Sequence, residues 1–145
     1  MIPPISAYAT VMYAALLHLV EAVILLNSHA ADGSIGVHAM LQVIPDARGL
    51  AISLLASSAC AFMVLFRSRS LPVWLTVVLL APQQAWLLTT AIAAWLAVWH
   101  GSYADGVLRS SLFITADQLP RGMFSLIHLT AMYGIAAHHA SQPRG

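Results

Sequence analysis

The sequence has very little charge. Its 145 residues include six arginines and five acidic residues but no lysine, and only one cysteine, Cys60. Charged residues make up 8% of the chain, against about 25% in soluble domains, so a water-soluble surface of this size is not expected. The single cysteine excludes a disulfide within one chain. A net charge of +1 from scattered arginines provides no basic face, so nucleic-acid binding is not expected.

Apolar residues are abundant instead and account for 60% of the chain. A bilayer core about 30 Å thick needs about 20 apolar residues of helix to cross it, and four runs meet or approach that length. Each run must be helical, because lipid offers no partner for an unpaired backbone amide. We therefore predict an all-α fold, an integral membrane bundle of four transmembrane helices in one domain covering 1–145. The predicted spans are 7–27, 49–66, 72–99 and 122–139.

Arginines in the shortest connection predict the orientation of the chain. Arg67 and Arg69 lie between the second and third spans, and positive charge in short loops is retained on the cytoplasmic side. With that turn inside, both termini are cytoplasmic, and the longer connections 28–48 and 100–121 face outward. The arginine-rich, lysine-free composition is typical of a GC-rich genome, which favours a bacterial inner membrane.

The two outer connections share sequence features. Each contains a run with helical spacing, 37–44 and 108–119, which predicts short interfacial helices. Each also has an Ala-Asp-Gly and an Arg-Gly segment, at one common offset of 73 residues between the connections. This offset favours two tandem two-helix hairpins, with coincidence as the alternative. The matching segments are 31–33 with 104–106 and 48–49 with 121–122.

Ionisable residues inside the predicted spans are rare, and a charged group in hydrocarbon is expected to face the bundle interior and have a partner. Glu21 is the only acid in a span, and His18 lies one helical turn before it. His128 is predicted to lie at a similar depth, and Gln84 adds a polar group near mid-membrane. These four are the candidate pathway or ligand residues. Three histidines at or beyond the outer helix ends are candidates for an entry site: His29, His38 and His100.

Two smaller expectations concern single elements of the bundle. Pro82 lies inside the third span, where it removes one amide donor and frees the carbonyl of Val78. We expect the side chains of Gln83 and Gln84 to satisfy that carbonyl. His138 and His139 lie near the cytoplasmic end of the fourth span, where they are expected to cap the last helical turn.

Three functional hypotheses fit these residues. The leading one is a small polytopic membrane protein that handles protons or ions through the polar cluster, as an oligomer, because one small bundle has little room for a pore. The second is a non-catalytic accessory subunit of a larger membrane complex, in which the polar groups serve helix packing. The third is a haem- or metal-binding membrane protein, because two imidazoles and a carboxylate suit a divalent transition metal and two imidazoles suit haem iron. Glycine-rich phosphate loops and catalytic motifs are absent from the sequence, which disfavours an enzyme.

Overall fold

Four α-helices make up the part of the chain that the structure describes. A computed structural model describes residues 4–27, 46–67, 71–99 and 107–141, apart from the side chains of 4, 94, 96–99 and 107–121. The helices are α1 (Pro4–Asn27), α2 (Ala47–Arg67), α3 (Val73–Trp99) and α4 (Val107–Ser141). The predicted all-helical fold with four helices is confirmed.

Three of these helices are long and apolar enough to cross a bilayer. The stretches are Ile5–Asn27, Ala47–Arg67 and Val73–Ala93, and they overlap the first three predicted spans. No fourth stretch within the described residues meets the same measure of length and apolarity. Membrane crossing by residues 122–139 therefore stays a prediction.

α4 begins earlier than expected. Helical backbone runs without interruption from Val107 to Ser141, a length of 35 residues. The run 108–119 is thus the first part of α4, and the predicted separate interfacial helix at this place is wrong. Extending an existing helix by one residue is easier than nucleating a new one, and this helix continues through Pro120 despite the helix-breaking effect that a proline usually has.

The suspected repeat gains no support from its Arg-Gly segments. Gly49 lies in the first turn of α2, whereas Gly122 lies inside α4. Segments 31–33 and 104–106 lie outside the described residues, and so does the interfacial helix predicted at 37–44. The tandem-hairpin arrangement stays a prediction.

The helices form an antiparallel bundle in which each helix packs against two neighbours. α1 contacts α2 and α4, and α3 contacts the same two helices, so the bundle closes on itself. Val11, early in α1, shares a core cluster with Val64, late in α2. Leu25, late in α1, shares another with Leu50, early in α2. α1 and α3 face each other across the bundle interior.

Two apolar clusters lie on either side of a polar layer. One cluster includes Ala7, Ala15, Ala61, Leu80 and Ile135. The other includes Ala22, Leu50 and Leu54, with Trp86 packed against it. On α1, α2 and α3, buried polar residues lie between the two clusters, and on α4 a buried histidine lies one turn before the first cluster. This polar layer consists of His18, Ser57, Ser58, Gln83 and His128.

The outer surface of the bundle is strongly apolar. Phe66 is 79% exposed, Tyr133 76%, and Trp74 and Leu126 are each 66% exposed. The buried side chains of the described residues, in contrast, include nine polar or charged ones. Large apolar side chains on the surface, and polar groups among the buried ones, depart from the usual pattern of water-soluble proteins, and this distribution is compatible with a membrane protein.

Exposed hydroxyl groups form hydrogen bonds within their own helices. Thr89 Oγ1 donates to the carbonyl of Ala85 at 2.8 Å, and Thr130 Oγ1 donates to the carbonyl of Ile127 at 2.7 Å. A hydroxyl that faces water has no need of such a bond, whereas one that faces lipid has no other partner. These contacts are also compatible with an apolar surrounding.

Asp46 caps the N-terminus of α2. Its Oδ1 accepts a hydrogen bond from the backbone N–H of Gly49 at 2.9 Å, and its carbonyl accepts one from Leu50 at 3.0 Å. A methyl group on residue 49 would overlap the Asp46 carboxylate. The glycine therefore leaves space for the capping side chain.

A double-mutant cycle tests this cap. Asp46→Ala is expected to lower the free energy of unfolding by about 1 kcal/mol, whereas Asp46→Asn retains the cap and most of the stability. Gly49→Ala should destabilise the natural chain because the methyl group displaces the carboxylate. In the Asp46→Ala background, the same change should stabilise by up to about 1 kcal/mol, because alanine is the better helix former. The measurement is unfolding in mild detergent, and additive effects would contradict this account.

Candidate functional site

His128 lies in the polar layer and uses both of its ring nitrogens. Its Nδ1 lies 2.8 Å from Oε1 of Gln84, and its Nε2 lies 2.6 Å from Oε1 of Gln83. The side chain is fully buried. The two glutamines are consecutive residues of α3 and directly follow Pro82. We call this arrangement of His128, Gln83 and Gln84 the amide clamp.

The clamp is anchored at both ends. Nε2 of Gln83 donates to the backbone carbonyl of Val11 on α1 at 3.4 Å, and Nε2 of Gln84 donates to Oγ of Ser125 on α4 at 2.9 Å. The two amide groups therefore donate hydrogen bonds to α1 and α4, and not to the carbonyl of Val78, which we expected them to satisfy. The facing imidazole explains the difference, because it offers a donor to an otherwise buried amide oxygen. One histidine thus connects three helices.

His18 occupies a second position in the polar layer. Its Nδ1 lies 3.1 Å from Oγ of Ser57 on α2, and the side chain is fully buried. Its ring meets the edge of Trp86 on α3, with centroids 6.4 Å apart and planes at 79°. Beside it, Oγ of Ser58 donates to the carbonyl of Ala15 at 2.8 Å. His18 and Ser58 therefore belong to the contact between α1 and α2.

Glu21 continues the same face of α1. It lies one helical turn beyond His18 and is 7% exposed, so the only acid of the predicted spans is buried. The structure describes a hydrogen bond of His18 to a serine and contacts of His128 to two glutamines. A single cluster of His18, Glu21 and His128 stays a prediction. Gln84, the fourth predicted residue, contacts His128 directly.

A third polar contact lies towards the chain termini. His139 places its Nε2 3.1 Å from the hydroxyl of Tyr8 on α1 and its Nδ1 3.0 Å from Oγ1 of Thr76 on α3. We expected this histidine to cap the last turn of its helix. The structure instead uses it to join α4 to the first turns of α1 and α3.

Several of these partners were not among the predicted site residues. Four of them, Thr76, Gln83, Trp86 and Ser125, lie three, four or seven residues along their helix from another buried polar residue, and that periodicity is the signal that could have revealed them. Residue type alone did not single these partners out. Serine and threonine, for example, occur commonly in helix contacts. The missed residues are Tyr8, Ser57, Thr76, Gln83, Trp86, Ser125 and His139.

The described residues contain no assembled metal site. No group of three or more His, Cys, Asp or Glu side chains there is placed to hold a metal ion. Both nitrogens of His128 already contact amide oxygens, so ligation of haem iron by this ring would require breaking the clamp. The outer-face candidates His29, His38 and His100 lie outside the described residues.

Comparison with known proteins assigns no family. No protein-family model, curated protein or solved structure matches this chain. The functional argument therefore rests on the chemistry of the polar interior.

Loss of the Gln83 amide should destabilise the bundle. Gln83→Leu removes the contacts to His128 and Val11 and leaves a buried ring nitrogen without a partner, which we expect to cost about 1–3 kcal/mol of unfolding free energy. Thr89→Val on the same helix is the matched control and should change stability by less than about 0.5 kcal/mol, because that hydroxyl is exposed. Thermal unfolding in mild detergent measures both. Equal effects of the two substitutions would show that the clamp contributes nothing to stability.

Proposed function

We propose that this chain is a small polytopic membrane protein that conducts protons or ions along its polar interior, and that it works as an oligomer. The conducting element is a polar column of buried or half-buried groups. The column consists of Tyr8, His139, Thr76, the amide clamp with Ser125, His18 with Ser57, and Glu21.

One observation supports the proposal above all others, namely the length of the polar column inside an apolar bundle. Tyr8 and Glu21 lie thirteen residues apart on α1, which corresponds to about 20 Å along a helix. That distance covers much of the bilayer core, about 30 Å thick. Packing alone would need one or two polar contacts, and each additional buried polar group adds a desolvation cost. Polar groups spread over such a length would provide the successive proton-binding sites that transfer across the core requires.

The surroundings in the proposal are a bilayer. The apolar exterior, the inward polar groups and the self-bonded exposed threonines all support lipid as the solvent, with four crossings that include α4. The expected location is a bacterial inner membrane with both termini in the cytoplasm. The protein should sediment with membranes, resist extraction by alkaline carbonate and be released by detergent. Release of the protein by carbonate would contradict the membrane location. A C-terminal reporter detected on the outer side of the membrane would contradict the orientation.

An accessory role in a larger membrane complex is the second candidate. The interior hydrogen bonds of His18, Ser58, Gln83, His128 and His139 all join different helices, so they also serve as packing contacts. In that case the polar groups would hold helix register, and partner proteins would cover the apolar surface. The two candidates differ in whether the charge of the column is used.

A haem or metal protein is the third candidate and receives less support. The imidazole of His128 is held at both nitrogens, and a metal at His18 would need further ligands from residues outside the described ranges. Visible absorbance and metal content of the purified protein test this candidate. A Soret band or stoichiometric metal would favour it over conduction.

Ion flux separates conduction from packing. In liposomes with an imposed pH gradient, we expect the natural chain to carry protons and Glu21→Gln to lower that flux at least about tenfold, while the unfolding temperature changes little. The reason is that a pathway group is used for its charge, whereas the amide keeps similar shape and hydrogen bonding.

Thr130→Val provides the control, because its hydroxyl is exposed and bonded within its own helix. It should leave both flux and stability unchanged. Absence of flux from the natural chain, combined with loss of stability in Glu21→Gln, would favour the accessory role.

A further inference from the structure

We propose that His128 is a binding site for a proton and that the side-chain amide of Gln84 turns by about 180° when the proton leaves. The inference deepens the proposed function, on which it rests for the claim that the bound proton is transported. The proton-binding site itself follows from the hydrogen-bond chemistry of the amide clamp.

The clamp presents two acceptors to one imidazole. Both ring nitrogens of His128 face amide oxygens, at 2.8 and 2.6 Å, and an amide oxygen can only accept a hydrogen bond. A neutral imidazole has one N–H, so one of these short contacts would join two acceptors. The protonated ring has two N–H groups and donates at both sites, in charge-assisted bonds stronger than neutral ones. The arrangement therefore matches the protonated ring.

Two other histidines of the described residues, one half-buried and one buried, have different partners. His139 contacts the hydroxyls of Tyr8 and Thr76, and the described bond of His18 is to the hydroxyl of Ser57. A hydroxyl donates or accepts as required, so these contacts fit a neutral ring in either tautomer. At His128, both side-chain partners, as oriented, require a donor from the ring.

The neutral ring needs one amide to turn, and the anchors of the clamp decide which one. Turning Gln83 would place its oxygen against the carbonyl oxygen of Val11, so two acceptors would meet there. Turning Gln84 would place its oxygen against the hydroxyl of Ser125, which can donate. Gln83 therefore stays, and Gln84 moves.

The two states differ by one proton and one amide orientation. With the proton bound, Nδ1 and Nε2 of His128 donate to Gln84 and Gln83. When the proton leaves Nδ1, the turned Gln84 donates from its Nε2 to Nδ1 and accepts from Ser125 at its Oε1. The N–H at Nε2 continues to donate to Gln83. All other covalent bonds are unchanged, so no co-reactant is required.

Other charges in the bundle bias this equilibrium. An ionised Glu21 favours the proton on His128, and a protonated His18 disfavours it. α3 contributes no titratable residue. On the other elements, the titratable or charged groups with described side chains are Tyr8, Tyr13, His18 and Glu21 on α1, Arg48, Cys60 and Arg67 on α2, and Tyr133, His138 and His139 on α4.

Nitrogen NMR of the full chain in lipid nanodiscs tests the site. With ¹⁵N-labelled histidine and glutamine side chains, spectra are recorded from about pH 4 to about pH 9, on both sides of the ordinary histidine titration. We expect two N–H signals from His128 at low pH and one, at Nε2, at high pH. The side-chain amide of Gln84 should shift with the same midpoint, while that of Gln83 shifts little.

Substitutions at Gln84 should move the midpoint in opposite directions. Gln84→Leu removes the acceptor at Nδ1 and is expected to weaken proton binding about tenfold, which lowers the midpoint by about one pH unit. Gln84→Glu supplies a carboxylate and should raise it by a similar amount. Thr130→Val, the control on α4, should leave it unchanged. Far-ultraviolet circular dichroism checks that each variant is folded.

The outcomes separate the inference from the proposed function. A single tautomer of His128 throughout the pH range would overturn the proton-binding site, and a shift of Gln83 in place of Gln84 would overturn the choice of turning amide. Titration as expected without proton flux in liposomes would leave the site standing and remove the conducting function. Proton flux combined with a His128 that does not titrate would remove the proton-binding site and leave the conducting function standing.

Discussion

A buried imidazole needs a partner at each ring nitrogen, and in this bundle that need connects three helices. His128 on α4 is held by two consecutive glutamines of α3, and one of these reaches the backbone of α1. An unsatisfied donor or acceptor at this depth would cost about 1–3 kcal/mol, so the three helices can shift relative to one another only by losing several contacts together. The rest of the architecture depends on this junction.

The apolar clusters on either side could not define the register alone. They consist largely of alanine, leucine and valine, and in the proposed lipid environment such side chains would gain little free energy from packing against another helix instead of against lipid. The small side chains Ala7, Ala15, Ala61 and Ala131 let the helices approach, and many registers would permit that. The polar contacts select one, because hydrogen bonds are directional and short. Apolar packing therefore allows the helices to approach one another, and the polar layer determines their register.

The same contacts that hold the helices also determine what the interior can carry. Hydroxyl partners, as at His139, can form hydrogen bonds with a neutral or a protonated ring, because a hydroxyl both donates and accepts. Amide-oxygen partners, as at His128, favour a ring with two N–H groups. In the proposed function, a column containing both kinds of site, together with the buried Glu21, would have places where a proton is held and places where it can pass. The structural role and the proposed conducting role thus involve one set of residues, and they are separable only by measuring charge movement and stability together.

The sequence by itself determined the four helices and the rarity of charge within them, because run length and composition are local properties. It also indicated Glu21, His18, His128 and Gln84, since ionisable or amide groups among apolar residues are conspicuous. Only the tertiary structure decided that Ser57, Ser125 and Gln83 are their partners, that His139 bridges three helices and that α4 begins at Val107. Partner identity depends on how each helix is rotated and shifted against its neighbours, and residues distant along the chain decide that jointly.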